Sequence, residues 1–85
     1  MQIEEYQSYV TKDVYVASYL IAIGYKRYTL SQYEKQFTFN FTIDTSLEAL
    51  EMEVDNYWGE NTSVDAKRLF NAFKELKNRM FGGNK

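Results

Sequence analysis

Seven residues with strict period-two alternation decide the fold of this chain: Gln36-Phe37-Thr38-Phe39-Asn40-Phe41-Thr42. On an extended backbone the phenylalanines point to one side and the polar residues to the other, which predicts a β-strand with one face in the core. Residues 25–30 alternate in the same way, and residues 31–34 are a polar connection. The sequence therefore predicts a two-stranded antiparallel hairpin with its second strand over residues 35–42.

A helix is predicted before the hairpin, over residues 12–23. Thr11 is placed to cap its N-terminus, and Gly24 lies where a left-handed residue would end it. Apolar side chains cover nearly the whole circumference of this helix. We therefore expect it to be the central and most buried element.

Two amphipathic helices are predicted after the hairpin. The first begins at the capping-box spacing of Thr45 and Glu48 and stops at Gly59, and the second starts with Thr62-Ser63-Val64-Asp65 and runs to about Phe81. The fold class is thus predicted to be α+β in the order α-β-β-α-α, with the two-stranded antiparallel hairpin packed against three helices. The predicted common core contains Leu20, Phe39, Leu50, Trp58, Leu69, Phe70 and Phe73.

The length of 85 residues suits a single domain over residues 1–85. Residues 1–10 are expected to form a loosely ordered tail, and residues 82–85 a disordered one. The chain has no cysteine, so it lacks the disulfides that small secreted domains usually need. A signal-peptide pattern and an apolar run of membrane length are also missing. These features predict a cytoplasmic protein without a membrane partner.

The inventory of reactive side chains argues against an enzyme. The chain contains no histidine and no cysteine, which removes the usual general base, the thiol nucleophile and the common transition-metal ligands. Glu48, Glu51 and Asp55 share one helical face, but that face lies opposite the apolar stripe, where solvated charges are expected. We therefore predict no catalytic residue, no cofactor and no metal site.

Tyrosines are the candidate residues for binding a protein. The chain has eight of them, and tyrosine is enriched at interface hot spots because it offers a large rigid surface with one polar group. Tyr15, Tyr19 and Tyr33 lie on the predicted first helix and hairpin turn, where a partner protein would reach them. The sequence predicts a non-catalytic protein-binding module with an accessory or inhibitory role.

Nucleic-acid binding is the alternative. Lys67, Asn71, Lys74 and Asn78 form one row along the last predicted helix and would follow a phosphate backbone. The net charge of the whole chain is −2, which disfavours this alternative.

The uncharged second strand of the hairpin offers an edge that needs cover. A helix of the same chain would cover it, or a second copy would do so by extending the sheet in a homodimer. Both possibilities are compatible with the sequence.

Four parts of the sequence carry a resemblance to a known family: residues 9–25, the Phe-rich strand, Asn56-Tyr57-Trp58 and Val64-Asp65-Ala66-Lys67-Arg68-Leu69. Taken together, from about Tyr9 to Phe81, most of the chain resembles a small, uncharacterised domain family of phages, prophages and bacteria. It implies a stand-alone accessory protein carried on mobile elements, whose partner is a protein of the host. No catalytic residues come with it.

Overall fold

The computed structural model describes residues 6–44 and 46–82 and contains three helices and three strands within them. In chain order the elements are β1 Gln7–Thr11, α1 Val14–Ala22, β2 Tyr28–Tyr33, β3 Gln36–Ile43, α2 Leu47–Trp58 and α3 Ala66–Met80. The predicted α+β class is confirmed. The prediction of a two-stranded sheet is wrong, because a strand precedes the first helix.

β3 is the central strand of the sheet, whose order is β1-β3-β2. It pairs antiparallel with both neighbours, and Phe41 lies opposite Tyr9 of β1 and Tyr28 of β2. β1 and β2 therefore run parallel on either side of β3, with α1 as the connection between them. This arrangement is a split βαβ unit.

β1 corrects two predictions about the chain's first part. Residues 7–10 are not a loose tail but part of a strand, whereas residues 1–5 and 83–85 lie outside the described residues. β1 also covers the edge of β3 that was expected to face a helix or a second copy. The cover is intramolecular and is a strand, so a dimer cannot form through this edge without displacing β1.

The hairpin connection is shorter than predicted. Residues 31–33 continue β2 and pair with residues 36–38, which leaves Glu34 and Lys35 as a tight turn. Glu34 has a φ of 57°, in the left-handed region that a two-residue hairpin turn requires. Residues 31–34 are polar for two reasons. Residues 31–33 form the solvent-exposed end of β2, and Glu34 belongs to the turn.

α1 is the most buried helix, as predicted, because residues 16–22 are all buried. Its N-cap is Asp13 and not Thr11: the Asp13 carboxylate accepts hydrogen bonds from the amides of Tyr15 and Val16. Thr11 lies two residues before Asp13, and its hydroxyl accepts a hydrogen bond from the Asp13 amide. Gly24 follows the helix with a φ of 122°, which a side chain would strain.

The core lies between the sheet and the helices and contains Phe39 and Phe41, as the alternation predicted. Trp58 and Phe70 were predicted to belong to it and do not, because both side chains are exposed. On α3 the buried residues are Ala72 and Leu76, so the covered side of this helix is rotated away from Phe70. Among the described residues, every helix falls short of the length and apolar character needed to cross a membrane.

Candidate functional site

An apolar cavity of about 190 Å³ lies where α1, the end of α2 and the first half of α3 meet. We call it the aromatic groove, and its lining residues are Tyr15, Ser18, Tyr57, Leu69, Phe70 and Phe73. Its volume is below the range of pockets that enclose a small-molecule ligand. The groove is suited to receiving a few side chains of another molecule.

The rings around the aromatic groove are unusually open to solvent. Tyr15 is 59% exposed, Phe70 is 68% exposed and Trp58, next to the groove, is 62% exposed. Tyr15 stacks on Phe73 with ring centroids 5.5 Å apart, and Trp58 meets Tyr57 edge-on at 5.2 Å. These contacts hold the rings in fixed positions while leaving their outer faces uncovered.

Local backbone chemistry fixes the α1 side of the groove. Asp13 caps the helix at the Tyr15 amide, which places the tyrosine ring in the first turn beside α3. The Ser18 hydroxyl donates to the carbonyl of Val14 over 2.8 Å. Because this hydroxyl is bonded within its own helix, Ser18 leaves the groove wall effectively apolar.

Tyr19 supports the groove from below and is not part of its surface. Its side chain is only 3% exposed, its ring lies 5.3 Å from that of Tyr57, and its hydroxyl donates to Glu53 over 3.0 Å. Burial is the main cause that raises the pKa of Tyr19, and the contact with Glu53 acts in the same direction. Tyr19 is therefore a core residue, which corrects its prediction as a docking tyrosine.

The other two predicted tyrosines are exposed but lie in different places. Tyr15 lines the aromatic groove, whereas Tyr33 ends β2 at the hairpin turn and does not line it. Phe70, which lines the groove, and Trp58, which flanks it, were predicted from the sequence to be core residues. The sequence carried no signal of this exposure, because Phe70 lies at ordinary helical spacing within the apolar face of α3.

Exposed residues of α3 and the following turn form a stripe with a spacing of three and four. We call it the basic stripe, and it consists of Lys67, Phe70, Lys74, Lys77 and Phe81, all exposed. The Lys77 ammonium lies 5.6 Å from the centre of the Phe73 ring and 5.5 Å from that of Phe81. Cations and rings are thus interleaved along this surface.

The acidic residue of α3 lies away from the basic stripe. Glu75 accepts a hydrogen bond from Tyr28 over 2.7 Å and lies 3.8 Å from Arg79, on the side facing the sheet. No ion pair of Lys67 or Lys74 occurs within the described residues. The basic stripe therefore keeps its positive charge.

The row predicted for nucleic acid is exposed along α3. Lys67 and Lys74 belong to the basic stripe, and Asn71 and Asn78 lie beside it. Asn71 also lines a second cavity of about 600 Å³, at the end of α1 and the start of β2. That cavity is larger, but its lining includes charged side chains of both signs, among them Lys26, Arg68 and Glu75, so it lacks the apolar character of the aromatic groove.

α2 carries a stripe of opposite charge. We call it the acidic stripe: Glu48, Glu51, Asp55 and Trp58 follow one another at a spacing of three and four, and all are exposed. α2 contains no lysine or arginine. Burial raises the pKa of Tyr9 in β1, and the charges of Glu51 and Asp55 raise it further, as expected beside a negative surface.

The carboxylates of the acidic stripe do not form a metal centre. Within residues 6–44 and 46–82, no group of three or more acidic side chains converges in a way that could hold a metal ion. The stripe spreads its charges along the helix, and its Trp58 end lies next to the aromatic groove. Its chemistry suits pairing with cationic side chains of another surface.

The fold and the groove define a small α+β domain with an exposed aromatic surface between two helices of opposite charge. Comparisons with protein-family models, curated proteins and solved structures gave no match. The resemblance to a phage and prophage domain family remains a prediction.

Proposed function

We propose that this chain is a non-catalytic protein-binding module that docks on its partner through the aromatic groove. The observation that carries the proposal is the exposure of Tyr15, Trp58 and Phe70 around one apolar cavity. Clustered exposed apolar surface on a small domain marks an interaction site more often than isolated exposed residues do. Trp and Tyr are also the side chains most enriched at interface hot spots.

The energetics of the groove favour a protein partner. Phe73, Tyr57 and Tyr15 are already held by ring contacts, so little side-chain entropy is lost when a partner covers them. The groove is too small to enclose a small-molecule ligand, but it accepts an apolar side chain that protrudes from a partner protein. Together with the resemblance to phage proteins, this supports an accessory or inhibitory role on a host protein.

A pull-down with matched variants tests this function. Phe70→Ser removes one exposed ring of the groove, and Tyr33→Ser removes a ring of similar exposure (68% against 79%) at the distant hairpin turn. We expect Phe70→Ser to lose most of the partner that the wild-type chain captures from its native cell extract, and Tyr33→Ser to retain it. Circular dichroism checks that both variants are folded.

Equal capture by the two variants would contradict the role of the groove. Nucleic acid is the second candidate, favoured by Lys67 and Lys74, which are exposed and form no ion pair with any residue of the described part of the chain. Rings that alternate with cations also bind single strands by stacking. Treating the extract with nuclease separates the candidates: capture that survives supports a protein partner, and capture that is lost supports nucleic acid.

A further inference from the structure

The second cavity, between the end of α1, the start of β2 and α3, has room for a small molecule. We call it the polar cavity. Its volume of about 600 Å³ falls within the range of pockets that enclose small-molecule ligands, whereas that of the aromatic groove does not. The two cavities share no lining residue. The polar cavity is therefore a separate candidate site.

The buried part of its lining is apolar. Ile21, Ala22 and Ala72 line the polar cavity and are all buried. Gly24 borders open space, because a side chain built there would meet no atom within 4 Å other than those of its chain neighbours. Such a lining suits the hydrocarbon body of a ligand.

Two cations lie at the open side of the polar cavity. Lys26 and Arg68 both line it and are exposed. Neither side chain forms an ion pair or a hydrogen bond with any residue of the ranges 6–44 and 46–82. Arg27 and Arg79, by contrast, lie near the carboxylates of Asp44 and Glu75. The donors of Lys26 and Arg68 remain available to a ligand.

The carboxylate of the lining is already occupied. Glu75 accepts a hydrogen bond from the Tyr28 hydroxyl over 2.7 Å and lies 3.8 Å from the Arg79 guanidinium. A cationic ligand would have to compete with Arg79 for this group. The free charges of the polar cavity are thus positive.

The end of α1 is the other electronegative part of the lining. Three carbonyls of its last turn already accept hydrogen bonds from the amides of residues 23–25, over 2.9 to 3.1 Å: those of Tyr19, Leu20 and Ile21. The partial charge of a helix end is about half an elementary charge. It is therefore smaller than the two full charges of Lys26 and Arg68.

We propose that the polar cavity binds a small organic anion, whose carboxylate or phosphate group contacts Lys26 and Arg68 and whose apolar body lies on Ile21 and Ala72. A guanidinium donates two parallel hydrogen bonds to such a group, and an ammonium donates further ones. The Asn71 amide, which also lines the cavity, offers a donor and an acceptor to other polar groups of the ligand.

The first test compares probes that share a ring and differ in charge. Phenyl phosphate, benzoate and benzyl alcohol are titrated into the full chain, and amide chemical shifts are followed by NMR. We expect at least one of the two anions to shift residues 21–26 and 68–75, and benzyl alcohol to bind about tenfold more weakly or less. Inorganic phosphate, which lacks the ring, should bind more weakly than phenyl phosphate. The tighter of the two ring anions shows whether the site prefers phosphate or carboxylate.

The second test removes single charges. Lys26→Gln and Arg68→Gln should each raise the dissociation constant of the preferred anion by about tenfold, as loss of a charged hydrogen bond does. Lys35→Gln is the matched control, because it removes the same charge from an exposed residue of the hairpin turn, away from the cavity. It should leave the dissociation constant nearly unchanged.

Glu75→Gln should have the opposite effect and tighten the binding of the anion. It removes a negative charge from the lining and leaves Arg79 without its ion pair, so the cavity becomes more positive. A side chain that only supported the fold would not produce this gain.

The site is overturned if neither anion shifts the residues of the polar cavity, or if benzyl alcohol binds as tightly as the anions. Equal weakening by Lys26→Gln, Arg68→Gln and Lys35→Gln would also overturn it, since it would indicate a response to net charge alone. The outcome does not depend on the proposed function, because capture of a protein through the aromatic groove is tested with Phe70→Ser.

Discussion

Tyr28 connects the sheet to α3 by its hydroxyl group. This group donates to the Glu75 carboxylate over 2.7 Å, while the Arg79 guanidinium lies 5.2 Å from the centre of the tyrosine ring. Burial, followed by the hydrogen bond to Glu75, raises the pKa of Tyr28 from 10.0 to about 12. The folded state therefore prefers the neutral phenol.

This preference predicts a loss of stability in alkali. A raised folded-state pKa stabilises the fold fully below pH 10.0, and the stabilisation is lost as the pH rises to about 12. We expect the urea midpoint of the wild-type chain to fall across this window and to fall less in Tyr28→Phe. Unfolding curves at a series of pH values measure the difference.

Glu75→Gln is the control for the cause of the Tyr28 shift. It keeps a hydrogen-bond acceptor but removes the charge, so the pKa of Tyr28 should fall and its absorbance titration should move to lower pH. An alkaline loss of stability that is as steep in Tyr28→Phe as in the wild-type chain would contradict the assignment.

β1 is a short edge strand, and only one of its two faces packs against the core. Tyr9 faces the helices opposite Phe41 and is half-buried, whereas the next residue, Val10, lies opposite Asn40 on the open face and is exposed. A five-residue strand has little other apolar surface to bury. Its attachment therefore depends on Tyr9 and on backbone pairing with β3.

Alanine substitutions at these two neighbours test that arrangement. Tyr9→Ala should lower the free energy of unfolding by about 1 to 3 kcal/mol, because it removes a ring packed on the core. Val10→Ala should change it by about 0.5 kcal/mol or less, as an exposed position does. Chemical denaturation measures both, and equal effects would show that β1 does not place Tyr9 on the core side.

The whole molecule places α1 at its centre, packed mainly against α3 and also against α2 and β1. α2 and α3 both pack on α1, and the aromatic groove lies between the end of α2, the first part of α1 and the first half of α3. Trp58, the single tryptophan of the chain, lies beside this gap and is largely exposed. It reports directly on whether the groove is covered.

Fluorescence of Trp58 provides the corresponding prediction. In dilute solution its emission should be that of a solvated indole and should be strongly quenched by acrylamide. When a protein partner covers the groove, the emission should shift to shorter wavelength and quenching should decrease. An emission that stays constant while the mass of the particle rises would contradict a contact at Trp58.

Local pattern was sufficient to predict the hairpin, the α+β class and the central position of α1. Phe39 and Phe41 are buried because alternation on a strand leaves only one side for them, and this holds whatever the neighbours are. In the same way, α1 is apolar on nearly every side, so other parts of the protein must surround it.

Only the tertiary structure decided which apolar side chains remain exposed. Residues 7–11 become a strand because β3 offers them an edge far along the chain, and five residues with little alternation carry no signal of that pairing. In sequence, Trp58 and Phe70 each continue the apolar face of a helix. How much of that face is covered depends on how the neighbouring helices pack, and here both side chains stay exposed. The candidate site exists because that packing covers Tyr19 and leaves the rings above it open.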